Sequence, residues 1–419
     1  MATTAPKNLV ICLDGTSNEI RAHGNTNVVR ILQALSENNM ADHSPDCPFT
    51  DTDHYETDPC PRYRPQQFLY YDPGVGTFSS PSVWTPFGRW VSRMAGQAFG
   101  LGMKTNLTEA YTFLMNNWNP GDRIYIFGFS RGAFTARALA GLLHVIGIPR
   151  RSSENLVQYA INAYARRTEK WGPDDYDSAE NFRRTVCRVA VSDPAERVAA
   201  RAGESQTSKF SVPVEYLGLW DTVSAPGIFR REMLFPCADS LENVRHGRHA
   251  VSLHERRLPF QPRTVVPRPN ATTPYAANPD IEESWFAGIH SDIGGSKPRN
   301  TGLGNITLMW VLAGAVGRHI VLRQRAEDRG LPVLDRAMAN EPCNANSRIW
   351  RLAGSRTRRP QVGIDRLHAS VRDRITAGGG GAIDVGFDDD VRWYDTRFPS
   401  VAVSPSSYTA IRSAATSSR

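Results

Sequence analysis

A strand–turn–helix segment in the first half of this 419-residue chain constrains its fold most. Residues 123–127 (RIYIF) are typical of a buried strand, and residues 133–146 are apolar on nearly every side and rich in small residues, as in a buried helix. Only Gly128-Phe129-Ser130-Arg131-Gly132 separates them. A buried strand that turns tightly into a buried helix predicts a sheet covered by helices, with a site at the strand's carboxyl end.

The other apolar segments predict the same architecture. Strands are expected at 7–13, 68–71, 212–220 and 284–289, and helices at 27–35, 106–118 and 306–316. Asn106 and Glu109 fit a capping box, which predicts that the second helix begins there. Because strands and helices alternate, we expect an α/β fold in which a mostly parallel sheet has helices on both faces.

The domain organisation follows from these elements. We expect one catalytic domain over residues 1–350, with a surface loop at 38–66 and a charged, helical insertion without strands of its own at 150–210. A C-terminal extension would occupy 351–419, with a loosely held end at 404–419. The length suits this division, because single α/β enzyme domains with insertions reach such sizes.

Charge and cysteine usage exclude several classes of function. The net charge is +7, but only five of the 49 basic residues are lysines, and the arginines are scattered rather than gathered in one basic tract. We therefore expect no nucleic-acid partner. No apolar run resembles a secretory signal or a membrane span, and the six cysteines show no metal-binding spacing. We expect reduced thiols, a cytoplasmic location, no metal and no cofactor.

The turn fits a nucleophile elbow, in which Gly128 and Gly132 flank Ser130. Such a turn forces the serine into strained dihedral angles, and the flanking glycines avoid clashes with strand and helix. The strain exposes the hydroxyl group. It also places the backbone N–H of Arg131 at a helix N-terminus, where developing negative charge is stabilised.

A serine nucleophile needs a histidine base, and the chain has ten histidines. His290 directly follows a predicted strand downstream of Ser130, which favours it. His144 and His319 fit packing or capping positions on helices, and His368, in a helical segment, is the reserve candidate. Three further histidines are interpreted as the solvated face of a helix: His246, His249 and His254.

The base needs an orienting carboxylate, and Asp221 ends the apolar strand before it. The second oxyanion donor usually follows the strand beside the nucleophile strand, so Gly15 or Thr16 fits that role. Asp14 and Asp72 end their strands at the same edge and are interpreted as supporting-loop residues. For Asp14, structural and functional roles remain open.

Five motifs in one order resemble the α/β-hydrolase family that includes the type VI secretion phospholipase effectors of the first lipase class. The motifs lie within residues 7–320: LDGT (13–16), YDPGVGT (71–77), GFSRGAFTAR (128–137), GLWDTV (218–223) and GIHSDIGG (288–295). The resemblance implies an α/β-hydrolase core, a Ser130–Asp221–His290 triad and a small-molecule or lipid ester as substrate, with phospholipid acyl chains as the family's substrate class. His254 stands where we expect an aspartate in the family.

Two other functions remain open. A non-catalytic binding module on a hydrolase fold would contact an anionic membrane through its arginines, aided by an aromatic strip at 78–100, although a core helix is the favoured interpretation of that strip. An Asp14-based phosphatase is suggested by Asp-Gly-Thr after a first strand. Haloacid-dehalogenase-type enzymes, however, carry a second aspartate where this chain has Thr16.

Overall fold

Eight strands form one sheet in the computed structural model of the protein. The structure describes residues 6–15, 18, 20, 24–37, 65–74, 96–164, 173–191, 207–223, 235, 237–267, 278–296, 302–323, 329–343, 354–358, 360, 365–376 and 393–394. In chain order the elements are β1 (Asn8–Leu13), α1 (Asn27–Ala34), β2 (Gln67–Asp72), α2 (Gly96–Asn117), β3 (Arg123–Phe129), α3 (Arg131–Val145), β4 (Ile148–Pro149), α4 (Glu154–Tyr164), α5 (Pro173–Val186), β5 (Cys187–Arg188), β6 (Tyr216–Trp220), β7 (Gly247–Ser252), β8 (Ile281–Phe286), α6 (His290–Ile293), α7 (Gly302–Ala315), β9 (Leu367–His368), α8 (Ala369–Thr376) and β10 (Trp393–Tyr394).

The sheet has the strand order β10-β9-β8-β7-β6-β3-β1-β2, and all of its paired strands run parallel. β3 therefore lies between β1 and β6, with Gly128 beside Leu13 on one side and Leu219 on the other. This register brings the carboxyl ends of β1, β3 and β6 together. The predicted fold class, a parallel sheet with helices around it, is confirmed.

Both faces of the sheet are buried, as a central parallel strand requires. Leu9 and Ile11 of β1 pack with α2 and α3 on one face. Val10 and Cys12 pack with α1 and α7 on the other. Alternate residues of one apolar run thus serve two separate cores, which explains why β1 is hydrophobic throughout.

Several predicted element boundaries are wrong. The strand predicted at 212–220 begins at Tyr216, and the one predicted at 284–289 is Ile281–Phe286. The helix predicted to begin at Asn106 begins at Gly96. Asn106 therefore caps nothing, and its side chain instead donates a hydrogen bond to Asp72 Oδ1 at 2.8 Å.

Strand β7 was missed, because its polar residues concealed it. His249 does not lie on a solvated helix face: it is fully buried in β7 and its Nδ1 is 2.8 Å from Glu283 Oε2 on β8. Arg248, also buried, forms an ion pair at 2.9 Å with Glu282, whose side chain is partly exposed. Hydrogen-bond partners allow polar side chains inside a buried strand, which breaks the apolar pattern expected there.

The predicted insertion at 150–210 contains α4 and α5, but also β5, which pairs antiparallel with β4. After residue 350, β9 and β10 extend the edge of the main sheet, and the domain division at 350 remains a prediction. Most of the predicted loop at 38–66, most of the strip at 78–100 and the chain end at 404–419 lie outside the described residues. Within the described residues, no helix is both long and apolar enough to span a membrane.

Candidate active site

Ser130 lies in the tight turn between β3 and α3, in a backbone conformation that non-glycine residues rarely adopt. Its φ is 60° and its ψ is −119°. Hydrogen bonds fix this conformation: Ser130 N–H donates to the carbonyl oxygen of Trp220 at 2.9 Å, and Phe134 N–H donates to that of Ser130 at 3.3 Å. Strain of about 1–3 kcal/mol is retained only where the surroundings impose it, and such positions cluster at functional sites.

The glycines beside Ser130 are required by backbone contacts. A Cβ on Gly128 would lie 2.7 Å from the Cα of Ala133, and one on Gly132 would lie 2.2 Å from the carbonyl oxygen of Leu13. Helix α3 therefore begins in direct contact with the end of β1. This close approach brings the loop after β1 against the serine.

The structure brings Ser130, His290 and Asp221 together from the ends of three elements. His290 Nε2 is 2.8 Å from Ser130 Oγ, and His290 Nδ1 is 2.6 Å from Asp221 Oδ2. The three residues are 6 %, 5 % and 0 % exposed, respectively. A hydroxyl, an imidazole and a carboxylate linked in this order allow the ring to accept the serine proton while the carboxylate balances the resulting charge.

Asp221 is held by further donors besides His290. Its Oδ1 accepts hydrogen bonds from Ser252 N–H at 2.9 Å and from Arg358 Nη1 at 2.6 Å, and its Oδ2 accepts one from Arg358 Nη2 at 3.1 Å. Burial alone would raise the pKa of Asp221, but Arg358 and His290 outweigh it and hold the pKa well below its usual range. The carboxyl group of Asp221 is therefore ionised near neutral pH.

The imidazole of His290 contacts two aromatic rings. Its centroid is 4.8 Å from that of Phe129 and 4.9 Å from that of Phe260, and its backbone N–H donates to Glu255 Oε2 at 3.3 Å. Burial lowers the pKa of His290 below its ordinary value, although Asp221 acts in the opposite direction. The lowered pKa favours the neutral ring, which is the form that can accept a proton.

Asp14 accepts hydrogen bonds from four donors around the first loop. Its Oδ1 accepts from Gly15 N–H at 2.6 Å and Asn18 Nδ2 at 3.0 Å, and its Oδ2 from Thr26 Oγ1 at 2.6 Å and Tyr71 OH at 3.2 Å. Burial raises the pKa of Asp14 to about 6, against the effect of these donors. The carboxylate thus ties the loop to α1 and β2.

Of the three predicted oxyanion donors, the structure describes Arg131 and Gly15. Arg131 is the first residue of α3, so its backbone N–H lies at the helix N-terminus. Gly15 lies against Ser130, since a Cβ on it would be 3.2 Å from Ser130 Cβ, but its N–H is already donated to Asp14. Thr16 lies outside the described residues.

Asp72 supports the neighbouring loop. Its Oδ1 accepts from Gly74 N–H at 2.7 Å and from the side chain of Asn106 at 2.8 Å. Burial raises the pKa of Asp72 to about 6. Gly74 packs on the first loop, because a Cβ on it would lie 2.3 Å from the carbonyl oxygen of Gly15. Both supporting carboxylates therefore organise the same corner of the sheet.

The remaining candidate histidines have partners elsewhere. His144 Nδ1 is 2.8 Å from Ser211 Oγ, and His368 Nδ1 is 2.8 Å from Ser370 Oγ. His368 lies in strand β9 rather than in a helix, and its ring stacks on Phe286. His254, where the family resemblance led us to expect aspartate, accepts a hydrogen bond from Gly288 N–H at 2.8 Å and so supports the loop before His290.

In the described part of the chain, one group of side chains has the types and spacing for a metal ion. Ligand atoms of His144, Cys237 and Glu242 lie within 4.8 Å of one another. His144 is near the C-terminal end of α3, whereas Ser130 precedes its N-terminus. This group is therefore separate from the serine site.

Two residues of the site were not predicted from the sequence. Arg358 and Glu255 are both buried, and their side chains contact Asp221 and the backbone of His290, respectively. Arg358 stands in an arginine-rich stretch with no strand or helix pattern, so nothing local distinguished it. For Glu255 one signal existed: an acidic residue between His254 and two arginines, just after an unrecognised strand.

Fold and site together define the class of protein. A parallel sheet that carries a strained serine between β3 and the following helix, with an aspartate after β6 and a histidine after β8, is the architecture of an α/β hydrolase. Comparison with known families refines this class. A model described as "T6SS, Phospholipase effector Tle1-like, catalytic domain" matches residues 7–314, and the chain belongs to that family.

Individual relatives are distant and longer. An uncharacterized protein of Saccharomyces cerevisiae, YEL023C, is 30% identical over 271 residues, which cover 64% of this chain and 34% of the yeast protein. The crystal structure of an uncharacterized protein from Pseudomonas aeruginosa is 19% identical, with a TM-score of 0.41, and the match covers 80% of this chain and 50% of that one. The Tle1 effector, solved bound to the VgrG spike of the type 6 secretion system, is 18% identical with a TM-score of 0.29, over 70% of this chain and 51% of that one. The chain thus spans about a third to a half of these relatives.

Proposed function

We propose that this protein is a serine hydrolase that cleaves carboxylic esters, with the acyl esters of phospholipids or other lipids as its substrate class. The observation that carries the proposal is the elbow geometry: Ser130 at φ 60°, with Oγ 2.8 Å from His290 Nε2. Membership of a phospholipase family supports a lipid substrate.

In the proposed reaction, Ser130 Oγ attacks the ester carbonyl carbon while His290 Nε2 takes its proton. Asp221 balances the charge of the imidazolium that forms. His290 then returns the proton to the departing alcohol, which leaves an acyl-enzyme. A water molecule, deprotonated by His290, attacks the acyl carbonyl and releases the acid and Ser130.

The oxyanion would be held by the backbone N–H of Arg131 and by a donor from the loop after β1. Gly15 is in the right place, but its N–H is donated to Asp14 Oδ1 at 2.6 Å. Using Gly15 therefore requires Asp14 to release this N–H when substrate binds. Each such donor contributes about 10²–10³-fold to the rate of acyl transfer.

The first test is labelling with a fluorophosphonate probe, which reacts with activated serines. Wild type should be labelled and Ser130→Ala should not. Ser152→Ala is the matched control, because Ser152 also has a positive φ, 59°, but is exposed and follows β4. Hydrolysis of p-nitrophenyl esters of increasing chain length, and fatty-acid release from phosphatidylcholine and phosphatidylglycerol vesicles, then define the acyl and head-group preference.

The other two functions are outcomes of the same experiments. An unlabelled wild type that hydrolyses no ester of any length would contradict the proposal. Salt-sensitive binding to anionic vesicles by that inactive protein would instead support the binding module. Magnesium-dependent phosphatase activity that survives Ser130→Ala and disappears in Asp14→Asn would favour the phosphatase.

A further inference from the structure

Arg358 reaches the site from far along the chain. It lies 44 residues beyond the family match, which ends at residue 314, and 137 residues from Asp221. Its side chain is nevertheless fully buried against the carboxylate of Asp221, which is also fully buried. One guanidinium nitrogen faces each carboxylate oxygen, at 2.6 and 3.1 Å. Such a two-point contact fixes the plane of a carboxylate, which one hydrogen bond cannot do.

Backbone contacts keep the guanidinium in place. Arg358 Nη1 donates to the carbonyl oxygen of Ser252 at 2.8 Å, and Nη2 donates to that of Phe260. These two carbonyls belong to the end of β7 and to the segment that places a ring against His290. Arg358 therefore links the Asp221 carboxylate both to the end of β7 and to the segment whose Phe260 ring contacts His290.

The segment that carries Arg358 is anchored by its own backbone. Ser355 forms an antiparallel bridge with Arg257, Arg356 N–H donates to the carbonyl oxygen of Arg256 at 2.8 Å, and Leu258 N–H donates to that of Gly354 at 3.2 Å. Residues 354–356 thus pair with residues 256–258 as a short ribbon, two residues before Arg358. The position of the guanidinium does not depend on its contact with Asp221 alone.

We propose that Arg358 is a positioning residue of the hydrolytic site: it fixes the Asp221 carboxylate so that Oδ2 faces His290 Nδ1, and the chain beyond the family match thereby completes the active site. This inference rests on the proposed function. Arg358 touches neither Ser130 nor the ring of His290 in the hydrogen bonds of the described residues, so it acts through Asp221.

The arrangement also sets the pH dependence. Four charged groups surround His290: Asp221 at the end of β6, Glu255 and Arg257 after β7, and Arg358 behind Asp221. Arg358 compensates part of the negative charge that stabilises the imidazolium. Without it, Asp221 would stabilise protonated His290 more strongly, so the pKa of the base would rise.

The test compares full-length Arg358→Gln, Arg358→Lys and Arg356→Gln with wild type. Arg356 is the matched control, because it stands two residues away with an exposed side chain. For Arg358→Gln we expect kcat on a soluble p-nitrophenyl ester to fall about 10–100-fold with KM little changed. The acid limb of kcat/KM should move about one pH unit higher. Arg358→Lys should restore the limb and only part of kcat, because an ammonium group cannot hold both oxygens.

The outcomes separate this inference from the function on which it rests. A wild type without esterase activity or probe labelling contradicts both. An active wild type together with an unchanged Arg358→Gln contradicts the positioning role alone. A merely structural role would lower the melting temperature and the active fraction but leave the acid limb in place. If Arg358→Gln does not fold, an Arg358→Lys with wild-type kcat contradicts the two-point contact.

Discussion

Replacing Gly132 by alanine tests the elbow, because helix propensity and the structure predict changes in stability of opposite sign. Gly132 is the second residue of α3, and helix propensity alone predicts that alanine there stabilises the protein by about 1 kcal/mol. The structure predicts the opposite. The new Cβ would lie 2.2 Å from the carbonyl oxygen of Leu13 and 2.5 Å from that of Asp14. Both obstacles are backbone, so no side-chain rotation can relieve the contact.

The size of the effect follows from the displacement required. A Cβ rarely comes within 3.0 Å of such an atom, so the start of α3 and the end of β1 must separate by close to 1 Å. Overpacking of this kind costs about 1–3 kcal/mol, and we expect the upper end because both partners are buried backbone. The same shift moves Ser130 Oγ away from His290, and about 1 Å of misplacement costs about 10²-fold in rate.

Urea unfolding and ester hydrolysis measure both effects. Gly121→Ala is the control. A Cβ on Gly121 would have no atom within 4 Å, and the residue has a φ of 98°. Its loss should be about 1 kcal/mol of backbone strain, without loss of activity. A Gly132→Ala protein that is as stable as wild type or more stable, and that retains more than half its activity, would refute the close contact between α3 and β1.

Two further substitutions address the buried carboxylates. Asp221→Asn should lower the rate of ester hydrolysis about 10³–10⁴-fold. It should also lower the free energy of unfolding by about 3–5 kcal/mol, because Arg358 is left as an unpaired buried charge. If the double variant Asp221→Asn/Arg358→Met is no more stable than Asp221→Asn, this reasoning is contradicted. Asp72→Asn removes a carboxyl group whose pKa is raised by burial to about 6. The stability that wild type gains when this group is protonated is therefore complete below about pH 4 and is lost as the pH rises through about 6. Wild type should therefore gain up to about 3 kcal/mol relative to Asp72→Asn between pH 7.5 and pH 4, as measured by denaturant unfolding at each pH, and parallel pH curves would contradict it.

The parts of the fold that could be predicted are those determined by local patterns. β1, β3 and α3 are mostly apolar because nearly all of their residues are buried, and the glycines of a tight turn are visible in the sequence. The proposed positions of Asp221 and His290 followed from a rule of topology, since carboxyl ends of parallel strands meet at one edge. No knowledge of the strand order was needed.

The parts that could not be predicted depend on pairing across the sheet. β7 has a polar sequence although Arg248 and His249 are buried, and partners distant in sequence, among them Glu282 and Glu283 on β8, make that burial tolerable. The role of Arg358 could not be predicted from the sequence for the same reason. Its burial depends on Asp221, and a pair separated by 137 residues leaves no local signal.

Two buried aspartates flank Ser130 at the ends of β1 and β6, and their electrostatic environments are opposite. Arg358 and His290 hold the pKa of Asp221 well below its usual range, whereas burial, against four neutral donors, raises that of Asp14 to about 6. The partner of a general base must remain ionised while the base gains a proton, which suits Asp221 and not Asp14. Both oxygens of Asp14 already accept hydrogen bonds that shape the first loop, so it is also poorly placed to attack a phosphate. These opposite environments support the assignment of Asp221 to the acyl-transfer chemistry and of Asp14 to the loop beside it.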